Sequence, residues 1–177
     1  MNPSAAAFGE AHAVKCELAE ELLRSSGTVR LRVTGRSMLP SIWPGDTLLL
    51  EAAACDDIST GDVVVFSHGR QFVAHRVVSA GGTAHGATIQ SHIQTQGDAL
   101  DQADVPLSKN DLLAKVSLIV RNGKSIQPRR SLRPVERAVA KIFRRSEIAA
   151  RVVARVHNLR QSLRNERQGE LPDKAAG

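Results

Sequence analysis

Apolar and polar residues alternate in several short runs between residues 28 and 120, with the period of two that half-buried β-strands have. Turn-forming residues separate these runs, as at Ser59–Gly61, His68–Gly69 and Gly81–Gly82. Since the runs follow one another without intervening helices, they favour an antiparallel, mainly β body. The predicted strands are Thr28–Val33, Thr47–Glu51, Asp62–Phe66, Phe72–Ser79, Thr88–Thr95 and Leu112–Val120.

The two ends of the chain have a helical period instead. Ala11–Ser25 places its apolar residues on one face, and Gly27 is suited to end the short helix that this predicts. From Ser131 onward apolar residues recur at spacings of three and four among many arginines, with Pro134 suited to the first turn. The predicted organisation is an N-terminal helical segment (1–27), a β domain (28–127), a long basic helical arm (128–168) and a disordered tail (169–177).

Charge is distributed unevenly along the chain. Residues 1–120 carry 9 Lys or Arg and 13 Asp or Glu, whereas residues 121–168 carry 14 basic and 3 acidic residues. The basic arm would suit packing on the β body or on a protein partner, or binding to an anionic membrane surface. Contact with nucleic acid phosphates is less expected than either of these. The arm contains no Tyr or Trp, which argues mildly against binding to a membrane surface.

Composition excludes several classes of protein. Aromatic residues make up 3% of the chain, which is a poor supply for a platform that stacks single-stranded nucleic acid. No apolar run approaches the length of a membrane-spanning helix, and the N-terminus lacks the pattern of a secretory signal. Cys16 and Cys55 are isolated, so we expect neither a disulfide nor a zinc site. These features predict a cytoplasmic protein that needs no metal or cofactor.

The segment Thr34–Asp46 (TGRSMLPSIWPGD) carries the most chemical information. Ser37 follows a strand and lies on a Gly- and Pro-constrained turn, a position that suits a nucleophile whose own amide helps to hold an oxyanion. His75 lies within an apolar strand, where a polar ring must be hydrogen-bonded or functional, and it is a candidate base. Asp98 follows a later strand and is a candidate for the carboxylate that orients the base. Serines in such turns are more often structural, so these residues alone indicate little.

Five sequence boxes in order make the pattern specific. They are GRSMLP, PGDTLLL, GDVVVF, VAHRVV and IQTQGDALDQADVPL, followed by a final strand at LLAKV. This order resembles the signal peptidase I superfamily, and most closely its Ser–His branch of the endoplasmic reticulum and archaea, which shares its fold with the self-cleaving SOS repressors. The Gly-Asp pairs at 45–46 and 61–62 belong to these boxes, but turn formation before a strand explains them without catalysis.

The resemblance implies a role for each matching residue. Ser37 matches the nucleophile, His75 the general base and Asp98 its acidic partner, while Met38 and Pro40 match residues that shape the turn and groove beside the nucleophile. Gly35 stands where many signal peptidases have a Ser that assists the oxyanion hole, so here backbone amides would form it.

The expected function follows from this assignment. It is a serine endopeptidase that cleaves a precursor peptide or protein after a small residue. The alternative is a catalytically inactive peptide-binding module that uses the same groove together with the basic helix.

Overall fold

The computed structural model describes residue 18 and residues 21–68, 71–85, 88–107 and 111–145. Seven antiparallel strands form one sheet. They are β1 (Thr28–Arg32), β2 (Thr47–Glu51), β3 (Val63–His68), β4 (Gln71–His85), β5 (Thr88–Gln96), β6 (Leu112–Arg121) and β7 (Lys124–Ile126). Their order is β1-β2-β6-β3-β4-β5, with β7 paired to β6. This confirms the predicted mainly β, antiparallel fold class.

Two details of the predicted strands are wrong. Gly81–Gly82 is not a turn, because β4 continues through both glycines to His85 and pairs with β5 along its length. Strand β7 was not predicted at all; Asn122 and Gly123 connect it to β6 with positive φ angles of 51° and 74°. Positive φ at both central residues is the conformation of a two-residue hairpin turn whose twist matches the flanking strands.

The sheet buries apolar side chains on both faces. One cluster includes Met38, Ile42, Leu48, Leu50, Val63, Val65 and Val116, and the other Ile58, Val64, Phe66, Val77 and Ile93. Strand β4 contributes side chains to both clusters, because successive side chains of a strand point to opposite faces. Ala74 packs against the first cluster, whereas His75 lies on the same face as Val73 and Val77, which belong to the second.

Within the described residues, three helical segments accompany the sheet. Residues 21–26 are helical (α1), Cys55–Asp57 form one 3₁₀ turn, and Pro134–Arg145 form α2. The buried Phe143 of α2 packs with Leu39, which lies two residues after Ser37. The start of the basic arm therefore docks on the β body. The remainder of the predicted arm, the tail, and most of the predicted N-terminal helix lie outside the described residues.

The two Gly-Asp pairs have the structural role expected of them. Gly45 and Gly61 have φ angles of 96° and 93°, which favour glycine. Asp46 accepts a hydrogen bond from the backbone N–H of Trp43, and Asp62 accepts one from that of Ser59. Each buried carboxylate also pairs with a cation from β6, Arg121 for Asp46 and Lys115 for Asp62.

Asp62 makes stability depend on pH. Burial raises the pKa of its carboxyl, but hydrogen bonds from Lys115 and Ser59 and the charges of Lys115 and Arg130 outweigh burial, so the pKa lies below its usual value. A depressed carboxyl pKa stabilises the fold above the unfolded-state pKa, and this stabilisation is lost as pH falls through the folded-state pKa. We therefore expect the free energy of unfolding to fall below pH ~4, and to fall less in Asp62→Asn. Urea unfolding of both proteins across this pH range measures the difference. An equal loss of unfolding free energy in wild type and Asp62→Asn would contradict the role given to the Asp62 carboxylate.

Candidate active site

Ser37 opens the turn between β1 and β2. The two residues after it, Met38 and Leu39, are buried, so their side chains fix the turn to the body. On the other side, the backbone N–H of Ala99 donates a 2.8 Å hydrogen bond to the carbonyl oxygen of Ser37. Within the described part of the chain, neither the hydroxyl nor the backbone N–H of Ser37 donates a hydrogen bond. Both groups are therefore available to a bound molecule.

His75 is held in the middle of β4 by a carboxylate. Its ring is buried and lies 5.8 Å from that of Phe66 in an edge-on arrangement. Nδ1 lies 2.6 Å from Oδ2 of Asp104, and the hydroxyl of Thr95 donates to the same oxygen at 2.6 Å. Because an ionised carboxylate only accepts hydrogen bonds, Nδ1 carries the proton of the neutral ring, and the lone pair is on Nε2.

Among the residues that the structure describes, the Nε2 atom of His75 has no hydrogen-bond partner, although it is buried. The hydroxyl of Ser37 consequently makes no hydrogen bond to His75 in this structure. A buried imidazole nitrogen without a partner is costly in a folded protein. Such an atom makes His75 a candidate functional residue.

The structure places the carboxylate of Asp98 against Arg76 and not against His75. Its two carboxylate oxygens accept hydrogen bonds from Nε and Nη2 of Arg76, both at 2.8 Å, and one of them also accepts a bond from the hydroxyl of Ser41. Both members of this ion pair are buried. The carboxylate that contacts His75 is Asp104, six residues further along the same loop.

Gly97 lies against the backbone of Ser37. In the β4–β5 ladder Arg76 lies opposite Gln96, so one further antiparallel step sets residue 97 opposite His75, with its side-chain direction on the same face. A Cβ at Gly97 would lie 2.7 Å from the carbonyl oxygen of Ser37. The backbone of Ser37 therefore fills the space on the His75 face that a side chain at position 97 would take.

A groove of about 720 Å³ begins at Ser37. Its walls are the segment from Val29 to Met38 and the first residues of β4, Gln71–Ala74, and its lining is largely apolar. Of the predicted groove residues, Gly35 and Met38 line it, whereas Pro40 lies outside it beside a smaller cavity. Leu18 and Leu22 of the N-terminal helical segment also border the groove, and both are exposed.

The sequence model of the Peptidase S24-like family matches residues 4–98, which include Ser37 and His75. The chain belongs to the Peptidase S24-like family. This membership confirms the predicted superfamily, which unites the SOS-repressor type with signal peptidase I, and this family includes serine peptidases. The match ends before Asp104, the carboxylate that holds His75. No curated protein matches the chain.

Across the described ranges, no three or more His, Cys, Asp or Glu side chains are grouped so that they could hold a metal ion. No helix among those same residues is long and apolar enough to cross a membrane.

The contact at Gly97 leads to a prediction. Gly97→Ala would place a Cβ 2.7 Å from the Ser37 carbonyl oxygen and 2.9 Å from the Leu100 side chain, so the nucleophile turn must shift. A displacement near 1 Å costs a peptidase roughly a hundredfold in rate. Peptide hydrolysis by the purified variant measures this. Gly81→Ala is the control, since a Cβ there meets nothing within 4 Å, and equal activities of the two variants would contradict the packing argument.

Proposed function

We propose that this S24-like protein is a serine endopeptidase of the Ser–His branch, with Ser37 as nucleophile, His75 as general base and Asp104 as the carboxylate that orients the base. One observation carries the proposal. A buried histidine has its Nδ1 fixed by a carboxylate and its Nε2 without a partner among the described residues, and the backbone of Ser37 lies against Gly97 at the end of the neighbouring strand.

The reaction follows from this arrangement. The Oγ of Ser37 attacks the carbonyl carbon of a peptide bond while Nε2 of His75 takes the hydroxyl proton. The tetrahedral intermediate collapses when the imidazolium returns that proton to the leaving amine, which departs with the C-terminal part of the substrate. Water then attacks the acyl-enzyme, again with His75 as base, and releases the N-terminal part and the free Ser37.

Asp104 stabilises the charged ring during both steps. It holds Nδ1–H at 2.6 Å, which fixes the tautomer with a lone pair on Nε2, and its negative charge favours the imidazolium that forms. The hydroxyl of Thr95, fully buried on β5, donates to the same carboxylate oxygen and keeps it aimed at the ring. Thr95 is therefore a positioning residue in this proposal.

The backbone N–H of Ser37 is the proposed donor to the oxyanion. It makes no other hydrogen bond within the described residues, as a preorganised donor should not. Gly35 supplies no hydroxyl, but a Cβ at this position would meet nothing within 4 Å. Space therefore exists for the Ser side chain found there in other branches.

The groove indicates how a substrate binds. Strand β1 is an outer strand of the sheet and pairs only with β2 among the described strands. Residues of β1 line the groove, and its outer edge pairs with no other described strand, so an extended peptide can add to it as a further strand and run towards Ser37. The resemblance to the Ser–His branch supplies the preference for a small residue before the cleaved bond.

A second candidate function rests on one observation, the absence of a hydrogen bond between Ser37 and His75. A family member that has lost catalysis would retain the groove and bind peptides there without cleaving them. Binding without turnover by the wild-type protein is the result that this alternative predicts.

Hydrolysis of a peptide library by the full chain tests the proposal. We expect cleavage after Ala, Gly or Ser, detected by mass spectrometry of the products, and no cleavage by Ser37→Ala. Ser41→Ala is a matched control, because Ser41 lies on the same turn but donates to Asp98. Peptides that bind without being cut, at equal affinity in wild type and Ser37→Ala, would favour the inactive module.

A further inference from the structure

A second cavity shares no lining residue with the groove. It has a volume of about 730 Å³ and lies between α2, the middle of β4 and the end of β5. This size is within the range of small-molecule sites in proteins. Gln96 and Thr60 contribute uncharged hydrogen-bonding groups to its lining. Nothing in the proposed peptidase mechanism uses this cavity.

The cavity is strongly cationic. Its rim carries Arg130, Arg137, Lys141, Arg144 and Arg145, four of them from α2. Of the two acidic residues in the lining, Asp98 is already neutralised by Arg76, and Arg130 pairs with Asp62 at 3.4 Å, which leaves the carboxylate of Asp101 against the four cations of α2.

Most of these cations retain donors for a ligand. Lys141 and Arg145 make no ion pair or hydrogen bond with their side chains among the described residues. Arg137 uses Nε to reach the carbonyl oxygen of Leu132, and Arg144 uses Nε and Nη2 on that of Asp98, so each guanidinium keeps further N–H groups.

The helix that carries four of the cations is anchored on the β body. Phe143 anchors α2 on Leu39, and the bonds from Arg144 to the Asp98 carbonyl oxygen tie the last turn of the helix to the loop after β5. Unpaired like charges that a fold brings together repel one another, and a multivalent anion removes that repulsion. Guanidinium groups match phosphate oxygens in geometry and charge.

We infer that the cavity between α2 and the β body binds a ligand that carries phosphate groups, either a free phosphorylated molecule or the headgroup of a phospholipid. Arg137, Lys141 and Arg145 contact the phosphate oxygens. The site is separate from the groove at Ser37, and its occupancy does not depend on catalysis.

Calorimetric titration of the full chain with inorganic tripolyphosphate tests this inference, at an ionic strength near 0.15 M to screen weak surface attraction. We expect saturable binding at one site. The double variant Lys141→Gln/Arg145→Gln removes two exposed cations and should weaken binding about tenfold or more. The matched control Lys124→Gln/Arg133→Gln removes the same charge outside the cavity and should change affinity less than about twofold. Thermal unfolding shows that both variants are folded.

Sedimentation with vesicles distinguishes the two sources of phosphate. Variant-sensitive binding of tripolyphosphate identifies a free ligand, and variant-sensitive binding only to phosphatidylcholine vesicles that contain phosphatidic acid identifies a headgroup. Either result supports the site. Absence of saturable binding to both probes, or equal weakening by both double variants, would overturn it.

Discussion

Replacement of Asp104 by Asn is expected to lower kcat for peptide hydrolysis about ten-thousandfold, the size of effect seen when the carboxylate of a Ser-His-Asp triad is lost in another protease. The amide cannot hold a proton on Nδ1 of His75 as the carboxylate does, so the ring loses the tautomer with its lone pair on Nε2. It also loses the negative charge that stabilises the imidazolium. Steady-state kinetics with the best library peptide measure the change.

The neighbouring loop provides the control for this prediction. Asp101→Asn removes an exposed carboxylate three residues away that makes no contact with His75. It should leave kcat within about twofold of wild type, as for a surface charge away from the reacting atoms. Equal losses from Asp101→Asn and Asp104→Asn would contradict the assignment of Asp104.

Replacement of Arg76 by Met is expected to lower the free energy of unfolding by about 3–5 kcal/mol, because it leaves the buried carboxylate of Asp98 without its cation. Arg76 also donates to the carbonyl oxygens of Gly61 and Arg129, which then lose a partner. Equilibrium unfolding in urea measures the loss.

An exposed ion pair is the comparison for Arg76. Arg24 and Glu21 form an ion pair in which the side chains are 70% and 65% exposed, respectively. Arg24→Met breaks this pair and should change the free energy of unfolding little. Equal free energies of unfolding for Arg76→Met and Arg24→Met would show that Asp98 does not depend on the ion pair with Arg76. That result would contradict the assignment of Asp98 to Arg76 instead of His75.

The alternation of apolar and polar residues predicts most of the strands, because it depends only on neighbouring positions in the chain. Strand β2 has the predicted bounds, and Leu48 and Leu50 are buried at alternate positions as the period of two requires. The turn predicted at Gly81–Gly82 fails because pairing with β5 carries the backbone through both glycines. Strand β7 follows Asn122–Gly123, a dipeptide that favours a two-residue hairpin turn, and this signal is present in the sequence.

The identity of the carboxylate beside His75 is not a local property. Asp98, Asp101 and Asp104 all follow β5, and spacing alone does not rank them. One signal lies in β4 itself: His75 and Arg76 are adjacent, so they point to opposite faces of the strand and cannot share one carboxylate. Each therefore needs its own partner, and only the fold of the loop decides that Arg76 takes Asp98.

The proximity of Ser37 to His75 likewise depends on tertiary structure. The two residues are 38 apart in the chain, and no pattern between them fixes a distance. The fold brings the backbone of Ser37 against Gly97, where the absence of a side chain admits it. Substitution at this glycine is thus a test of fold and site together.

Covalent labelling with a fluorophosphonate probe tests the central claim most directly. The proposed chemistry predicts a single phosphonylated peptide that contains Ser37, identified by mass spectrometry of the digested full chain. The adduct should be absent in Ser37→Ala, strongly reduced in His75→Ala, and retained in Ser41→Ala. Labelling of wild type that is no faster than that of Ser37→Ala would contradict the account and leave a groove that binds peptides without cutting them.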